Sequence, residues 1–451
     1  MKTTNPHFNF QQSLFFPVLR MMNRGIRLDE KLKGVSTGKL DPVQDRPQYT
    51  GLKEDLLNAQ YYRQQLLNEI VGHELNINSP AQLKKFFYDD MGIPGIQNIG
   101  TETLTTNSGA MAIIAEREPI LKPLCLLIVE LRSIGVFLST FIDAKADFDA
   151  RMRCSFSIAG PTTYRFSSSE NAFGSGMNLQ NIPVAEKQKI KDKNYIKLPN
   201  IRKLFVPDPG FTFFDMDLDR ADLQVVIWEA DDADMKKALR LGLDMHCLSA
   251  CDIFNIKGIP YEELAESHPN YKERRAQIGE PNRQKAKIGV HATNYGVGDR
   301  KLAMALGISV HEASLFRARW FAARPGIRRW HVRTEEALAK KGYVENKFGM
   351  RLYNFGRPNL PEFLGWIPQS TVAGVINRAL VNIDNLEQSG KTSIQLLIQV
   401  HDSLAGQFKT VRHDWEVEAL REEARIIVPY DDPLIIPVGI KTSQLSWGDC
   451  K

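Results

Sequence analysis

Residues 211–232 read FTFFDMDLDRADLQVVIWEADD, and a change of period inside this stretch decides the fold class. Residues 211–218 are a β-rich apolar run, whereas Leu223, Val226 and Ile227 fall on one face of a helix. The reading is strand, tight turn, helix, with Asp217 at the strand end. A matching signal lies far downstream. SIQLLIQV (393–400) and LAGQFK (404–409) flank His401-Asp402-Ser403, a β-hairpin with its polar residues at the bend.

Between these strands, Asp244 to Phe355 reads as largely helical, and so does the first third of the chain. LKEDLLNAQYYRQQLLNEIVG (52–72) is amphipathic, and a longer helical stretch covers 119–142. Between those helices Ser79-Pro80 supplies an N-cap and first helical residue. Ser, Thr, Gly and Asn crowd 157–178 into loop and turn. The expected class is mixed α/β, with strands bracketing a helical insertion.

Composition sets broad bounds. The 451 residues hold 43% hydrophobic and 25% charged residues, ordinary for a globular protein with a sizeable core. A net charge of +5 is compatible with a phosphate-rich partner but does not demand one. Cys125, Cys154, Cys247, Cys251 and Cys450 form no CxxC pair, so buried thiols in a reducing compartment are expected. The N-terminus lacks the apolar core of a signal peptide, and the apolar stretch 123–142 is broken by Glu130 and Arg132. No membrane partner and a cytoplasmic location, in a bacterium or a phage-infected host, are expected.

Asp217 and Asp402 sit at two strand ends, where carboxylates can meet across adjacent strands. Such a pair repels unless a cation lies between, and hard divalent ions take oxygen ligands completed by substrate phosphates. Taken alone, each Asp also reads as a turn residue. A second constellation is RQKAKIGVHATNYG (283–296), where Arg283, Lys287, His291 and Tyr295 recur every fourth residue along one helical stripe. Two cations at that spacing can grip a triphosphate, and the rings beyond can stack on a sugar or base. A solvated charged face is the bland alternative. Gly289 and Gly296 weaken the helix by roughly 1 kcal/mol each, which suggests room for a ligand or a helix end.

In chain order these segments resemble the motifs of family A DNA polymerases, typified by bacterial DNA polymerase I. TYRFSSSENAFGSGMNLQNIP (163–183) is similar to TGRLSS…PNLQNIP, and DLDRADLQ (217–224) to DYSQIELR. DMHCLSA (244–250) resembles DIHxxTA, and Arg283 to Gly296 follows RxxxKxxx[FY]xxxYG. PQSTVAGVINRAL (368–380) and QVHDS (399–403) resemble PIQGTAADIIKRA and QVHDE. The likeness covers nearly the whole chain.

The resemblance implies a right hand of antiparallel-sheet palm and largely helical thumb and fingers. Its divisions would be an N-terminal segment packing on the palm (1–47), thumb (48–150), palm (151–223), fingers (224–355) and the rest of the palm (356–451). It implies template-directed synthesis from dNTPs on a primer–template DNA by two-metal nucleotidyl transfer. Asp217 and Asp402 would hold two magnesium ions, with manganese as a substitute. Arg283, Lys287 and His246 would bind the triphosphate, Lys287 with a catalytic part, while His291, Asp222 and Tyr295 would surround the nucleotide. Arg165, Asn178, Gln180, Gln369, Gln399 and His401 would touch the primer–template.

Departures from the family pattern are specific. Asp222 replaces the Glu that excludes a ribose 2′-hydroxyl, His291 replaces Phe or Tyr, and Ser403 replaces Glu. Residues 170–176 stand in place of a shorter linker, and Arg220 stands where a polar residue is usual. Asp215 and Asp219 add acid that could be mistaken for a ligand. Only about 45 residues precede the thumb-like segment, too few for a separate domain. The expectation is therefore a monomer without 3′–5′ proofreading or 5′-nuclease, compatible with a separate processivity or exonuclease subunit. The rival readings are a single-subunit RNA polymerase, which lacks the Asp222 carboxylate and the NLQNIP phrase, and a non-catalytic primer–template binding protein.

Overall fold

The computed structural model describes residues 6–98, 102–183, 197–356 and 359–451. The first five residues of the expected N-terminal segment lie outside them. At the centre is a four-stranded antiparallel sheet of β1 (Phe211–Leu218), β2 (Gln395–Val400), β3 (Ser403–Lys409) and β4 (Val438–Ser443), in the order β2-β3-β1-β4. β1, β2 and β3 coincide with the apolar runs read from the sequence, whereas β4 escapes that reading.

Both faces of this sheet are covered, which explains why β1 is apolar on both sides. Phe214, Met216 and Leu218 enter the largest core, while Phe213 enters a second one and stacks on Trp447 at 6.1 Å between ring centroids. Register then places the chemistry. Asp217 pairs with Ser403 on one side and Gly439 on the other. Asp402, one residue before Ser403, therefore arrives beside Asp217.

On one side stands a helical body with its own core of Leu67, Leu83, Phe87, Ile114, Ile128 and Leu131. It is built on α1 (Gly51–Val71) and α2 (Lys122–Phe137). Ser79 caps the helix that begins at Pro80, accepting from Gln82 N at 3.3 Å. The stretch 119–142 is less uniform than its period suggests. It opens on a 3₁₀ turn, Pro119–Leu121, and closes on a π-helical turn, Leu138–Ile142. By length and composition it could cross a membrane. Here it is a core helix, and its Glu130 carboxylate bonds Arg63 Nε at 2.8 Å.

On the other side lies the helical insertion, with α3 (Ala221–Ala230), α4 (Met245–Phe254), α5 (Tyr271–Ile278), α6 (Glu280–Asn294) and α7 (Val310–Ala323). A 29-residue helix, α8 (Leu360–Gln388), runs beneath the sheet. Gly289 proves to be a packing glycine. A Cβ there would stand 2.3 Å from Phe316 of α7, so the missing side chain admits a neighbouring helix and not a ligand. Gly296 does end the helix, with φ at +73°.

Short antiparallel pairs also escape it, among them Ser36–Asp41 with Arg46–Tyr49 and Tyr343–Glu345 with Arg351–Tyr353. Another, Ser155–Ser157 with Ser167–Ser169, puts a strand inside the 157–178 stretch read as loop and turn. All five cysteines are free thiols, and Cys125, Cys154 and Cys247 are buried.

Candidate active site

Two unusual backbone positions frame the carboxylates. His401, just before Asp402, has φ +56°, and Arg220, three residues after Asp217, has φ +48°. Left-handed conformations are uncommon for such side chains and persist where the surroundings over-determine them. At the same place Leu218 N bonds Asp402 O at 3.3 Å, so backbone joins the two strand ends. Burial first, then the adjacent Asp402 and Asp215 carboxylates, push Asp217 up to about 6, with Lys441 pulling the other way. Solvent still reaches Asp217.

Asp215 points to the same face of β1 as Asp217 but is otherwise engaged. It accepts from Trp447 Nε1 at 2.9 Å and from Arg202 Nη1 at 3.3 Å, and Arg202 lies 4.1 Å over the Trp447 ring. That removes it from the candidate ligands. Asp219 lies 3.6 Å from Arg220 Nε.

Close to the carboxylates, with Asp402 near enough to act on the Asp222 carboxyl, is a cavity of about 450 Å³. Its lining includes Asp222, His246, Lys287, His291 and Tyr295 but neither Asp217 nor Asp402. Five residues singled out in the sequence thus share one enclosure. A larger groove, about 1020 Å³, lies in the N-terminal helical body and is lined by amides and hydroxyls such as Asn78, Asn98, Thr105 and Asn107. It contains none of the predicted residues, so volume is a poorer guide here than chemistry.

Within the smaller cavity Lys287 is exposed. Burial, together with the positive charges of Arg283, Lys287 and Arg220, pulls His246 down to about 4 against the opposing pull of Asp244. Its imidazole is therefore neutral at pH 7. His291 and Tyr295 meet edge to face, 4.5 Å between centroids. Burial raises Asp222, opposed chiefly by Arg165, whose Nη2 is 3.7 Å away. Burial and the Asp222 charge both raise Tyr295. Neither Asp222 Oδ1 nor Tyr295 Oη makes a hydrogen bond of ordinary geometry.

Arg283 does not share the cavity wall with Lys287, although both were read on one stripe. Its Nε bonds Asp244 at 2.8 Å. Asp244 is a residue that sequence reasoning passed over. It is buried as the N-cap of α4, accepting from His246 N at 2.9 Å and Cys247 N at 3.1 Å, and its other oxygen accepts from Tyr271 Oη at 2.7 Å. Burial alone would raise its carboxyl, but Arg283, Tyr271 and the capped amides outweigh that and hold it far below the ordinary range. Asp directly before a helix is a cap signal that could have revealed it.

Of the remaining predicted residues, Gln180, Gln399 and His401 meet at the hairpin bend. Gln180 and Gln399 are 7% and 1% exposed and bond each other at 2.8 Å, and Gln399 Nε2 donates to His401 O at 2.5 Å. They brace the bend from below. Asn178 Oδ1 accepts from Ser168 Oγ at 2.5 Å and from Gln180 N at 3.0 Å. Gln369 is half-buried on α8, and His401 is exposed.

Paired carboxylates, one of them raised by burial and then by its neighbour's charge, suit a divalent cation, which would relieve their repulsion. No group of three or more His, Cys, Asp or Glu side chains gathers into a metal cage among the described residues. That fits ions that keep waters and bind through one or two carboxylates plus substrate phosphates.

Comparison with known proteins gives this geometry a context. The family model for DNA polymerase family A matches residues 48–443. DNA polymerase I of Pseudomonas aeruginosa is 27% identical over 444 residues, 94% of this chain and 42% of that protein. Thermostable DNA polymerase I of Thermus aquaticus is 27% identical over 395 residues, 84% of this chain and 42% of that protein. The chain thus spans less than half the length of these curated relatives. A solved structure, the POL domain of Pol1 from M. smegmatis in complex with DNA primer-template and dNTP, superimposes with a TM-score of 0.76 at 21% identity, covering 97% of this chain and 70% of that one. With a match over 48–443, the chain belongs to DNA polymerase family A.

Proposed function

We propose that this protein is a template-directed DNA polymerase that adds dNTPs to a primer 3′-hydroxyl. The observation that carries the reading is the cavity that gathers Lys287, His246, His291, Tyr295 and Asp222, beside the carboxylate pair that the β1–β3 register brings together, with Asp402 acting on Asp222. The central sheet is the palm, the body built on α1 and α2 the thumb, and the insertion from α3 onward the fingers. The relatives' names and the DNA and dNTP in the structural neighbour's title support this assignment.

Asp217 and Asp402 are the ligands for divalent ions, magnesium in the first place. Bound there, such ions would activate the primer hydroxyl and stabilise the departing pyrophosphate. The rest of the chemistry is positioning. Lys287 offers a mobile point charge to the triphosphate, and neutral His246 offers a hydrogen bond at neutral pH. Asp222, held by Arg165, and Tyr295 with His291 bound the sugar and base. His401 and Gln369 lie where the primer–template terminus would be held, and Gln180, Gln399 and Asn178 support that bend.

The test is extension of a labelled primer on a DNA template with magnesium, offering dNTPs or rNTPs. Full-length product from dNTPs alone, whose sequence follows the template, is expected. Efficient extension with rNTPs would overturn the assignment of Asp222 as a sugar guard. No extension by folded protein that binds primer–template tightly would overturn the polymerase reading and favour a binding protein.

A further inference from the structure

We infer that Arg220 is a positioning residue that locks the Asp217 turn to the helices carrying the triphosphate-binding cations, an inference that rests on the polymerase reading. The turn after β1 is bolted to the sheet by backbone: Leu218 N bonds Asp402 O at 3.3 Å and Asp219 N bonds Pro437 O at 2.8 Å. Arg220 follows at φ +48°, ψ +38°, and its carbonyl accepts the first bond of α3, from Gln224 N at 3.0 Å. Glycine would take this left-handed conformation without steric cost, whereas an L side chain pays one. The side chain found there spans to the fingers. Nη1 donates to Leu243 O at 3.3 Å and Nη2 to Glu266 Oε1 at 3.1 Å.

Leu243 is itself pinned, bridged to Ala265, and the next residue's amide, Asp244 N, bonds Leu264 O at 2.8 Å. Asp244 then caps α4, which carries His246, and binds Tyr271 of α5 and Arg283 of α6. A continuous set of hydrogen bonds therefore runs from the Asp402 carbonyl through Arg220 and Asp244 to Arg283. It links the strand end that carries the carboxylates to α4 and α6, which supply His246 and Lys287 to the cavity lining. A planar five-donor guanidinium can serve Leu243 O and Glu266 together, and an ammonium cannot do so with the same geometry.

The test compares wild type, Arg220→Gly, Arg220→Lys and Glu266→Gln in single-nucleotide incorporation, with amide hydrogen exchange measured on each protein without substrate. Arg220→Gly keeps the turn conformation, so thermal melting is expected to move little. Its dNTP KM should rise about tenfold, in keeping with the loss of a charge-assisted contact, while primer–template Kd stays within twofold. Arg220→Lys should recover part of that loss, and Glu266→Gln should show a smaller one. Exchange at residues 243–247 should quicken about tenfold in Arg220→Gly, the fold-change of one charge-assisted bond. A dNTP KM within twofold of wild type together with unchanged exchange would overturn the inference. If wild type extends no primer, the polymerase reading fails, and exchange alone decides whether Arg220 is the lock.

Discussion

The site has two walls, the carboxylate pair and the lining of the cavity beside it, and they are held in different ways. The carboxylate wall is set by backbone: Asp217 and Asp402 stand together because β1 and β3 pair in a fixed antiparallel register. A one-residue slip would turn every β1 side chain to the opposite face and bury Asp217 in the core. The cavity wall is set by side chains: the start of α4, which carries His246, and Arg283, which stands outside the lining, are fixed to each other through the Asp244 carboxylate. Backbone register can be lost only with the sheet, whereas one substitution can release a side-chain latch. In the proposed function the first wall would hold ions in constant geometry and the second would grip and release a nucleotide.

The sharpest way to break this comparison is at the rigid wall. Asp217→Asn or Asp402→Asn should lower primer extension on the order of 10³-fold or more, as loss of a group that stabilises developing charge does, with primer–template binding retained. Because the folded-state pKa of Asp217 is raised, the fold binds its proton more tightly than the unfolded chain does. Its ionisation therefore costs stability as pH rises through about 6. Metal-free Asp217→Asn should accordingly melt slightly higher at pH 7, by about 1 kcal/mol once solvent screening of this exposed group is counted. Calorimetry in EDTA checks the sign.

Next in size, Lys287→Ala should cost about 10²-fold in kcat/KM for dNTP, since one charge-assisted contact to phosphate is lost from a water-poor site. Asp244→Asn sharpens the contrast, because Asn caps a helix as well as Asp does but cannot hold Arg283 by charge. A rise of about tenfold in dNTP KM is expected. The melting temperature at pH 7 should also fall, because a carboxyl held far below its ordinary range stabilises the fold through its charge. Steady-state kinetics and thermal melts read the two effects separately.

Smaller still is the pH effect. The half-saturating magnesium concentration should rise roughly tenfold per pH unit below about 6, as protons compete for Asp217, while His246, already neutral, adds no titration step between pH 5 and 8. Least for catalysis, Gly289→Ala should destabilise by about 1–3 kcal/mol through its clash with Phe316, leaving the kinetics of the folded fraction unchanged.

How much of this was legible in sequence follows the same division. Short β-rich apolar runs at 211–218 and 393–409, and a repeat of four in 283–295, put three strands, both carboxylates and the stripe of Arg283, Lys287, His291 and Tyr295 within reach, because these are signals local to the chain. The partners that orient these groups obey no local period. Arg283 meets Asp244 across 39 positions and Gln180 meets Gln399 across 219. The Trp447–Asp215 bond likewise depends on how the C-terminal segment folds back. Gly289 read as room for a ligand because its true reason, Phe316 of α7, lies on another helix. The hairpin of Tyr343–Glu345 with Arg351–Tyr353 was missed because three-residue strands carry too few positions to show alternation.

The central claim, that these two walls act on one nucleotide chosen by a template, is tested most directly by single-turnover incorporation of each dNTP by wild type and Asp402→Asn, in magnesium, on primer–templates differing only in the templating base. The account predicts rapid addition of only the complementary nucleotide by wild type, and addition on the order of 10³-fold slower by Asp402→Asn at unchanged duplex affinity. Addition that ignores the templating base, or an Asp402→Asn variant as fast as wild type, would contradict it.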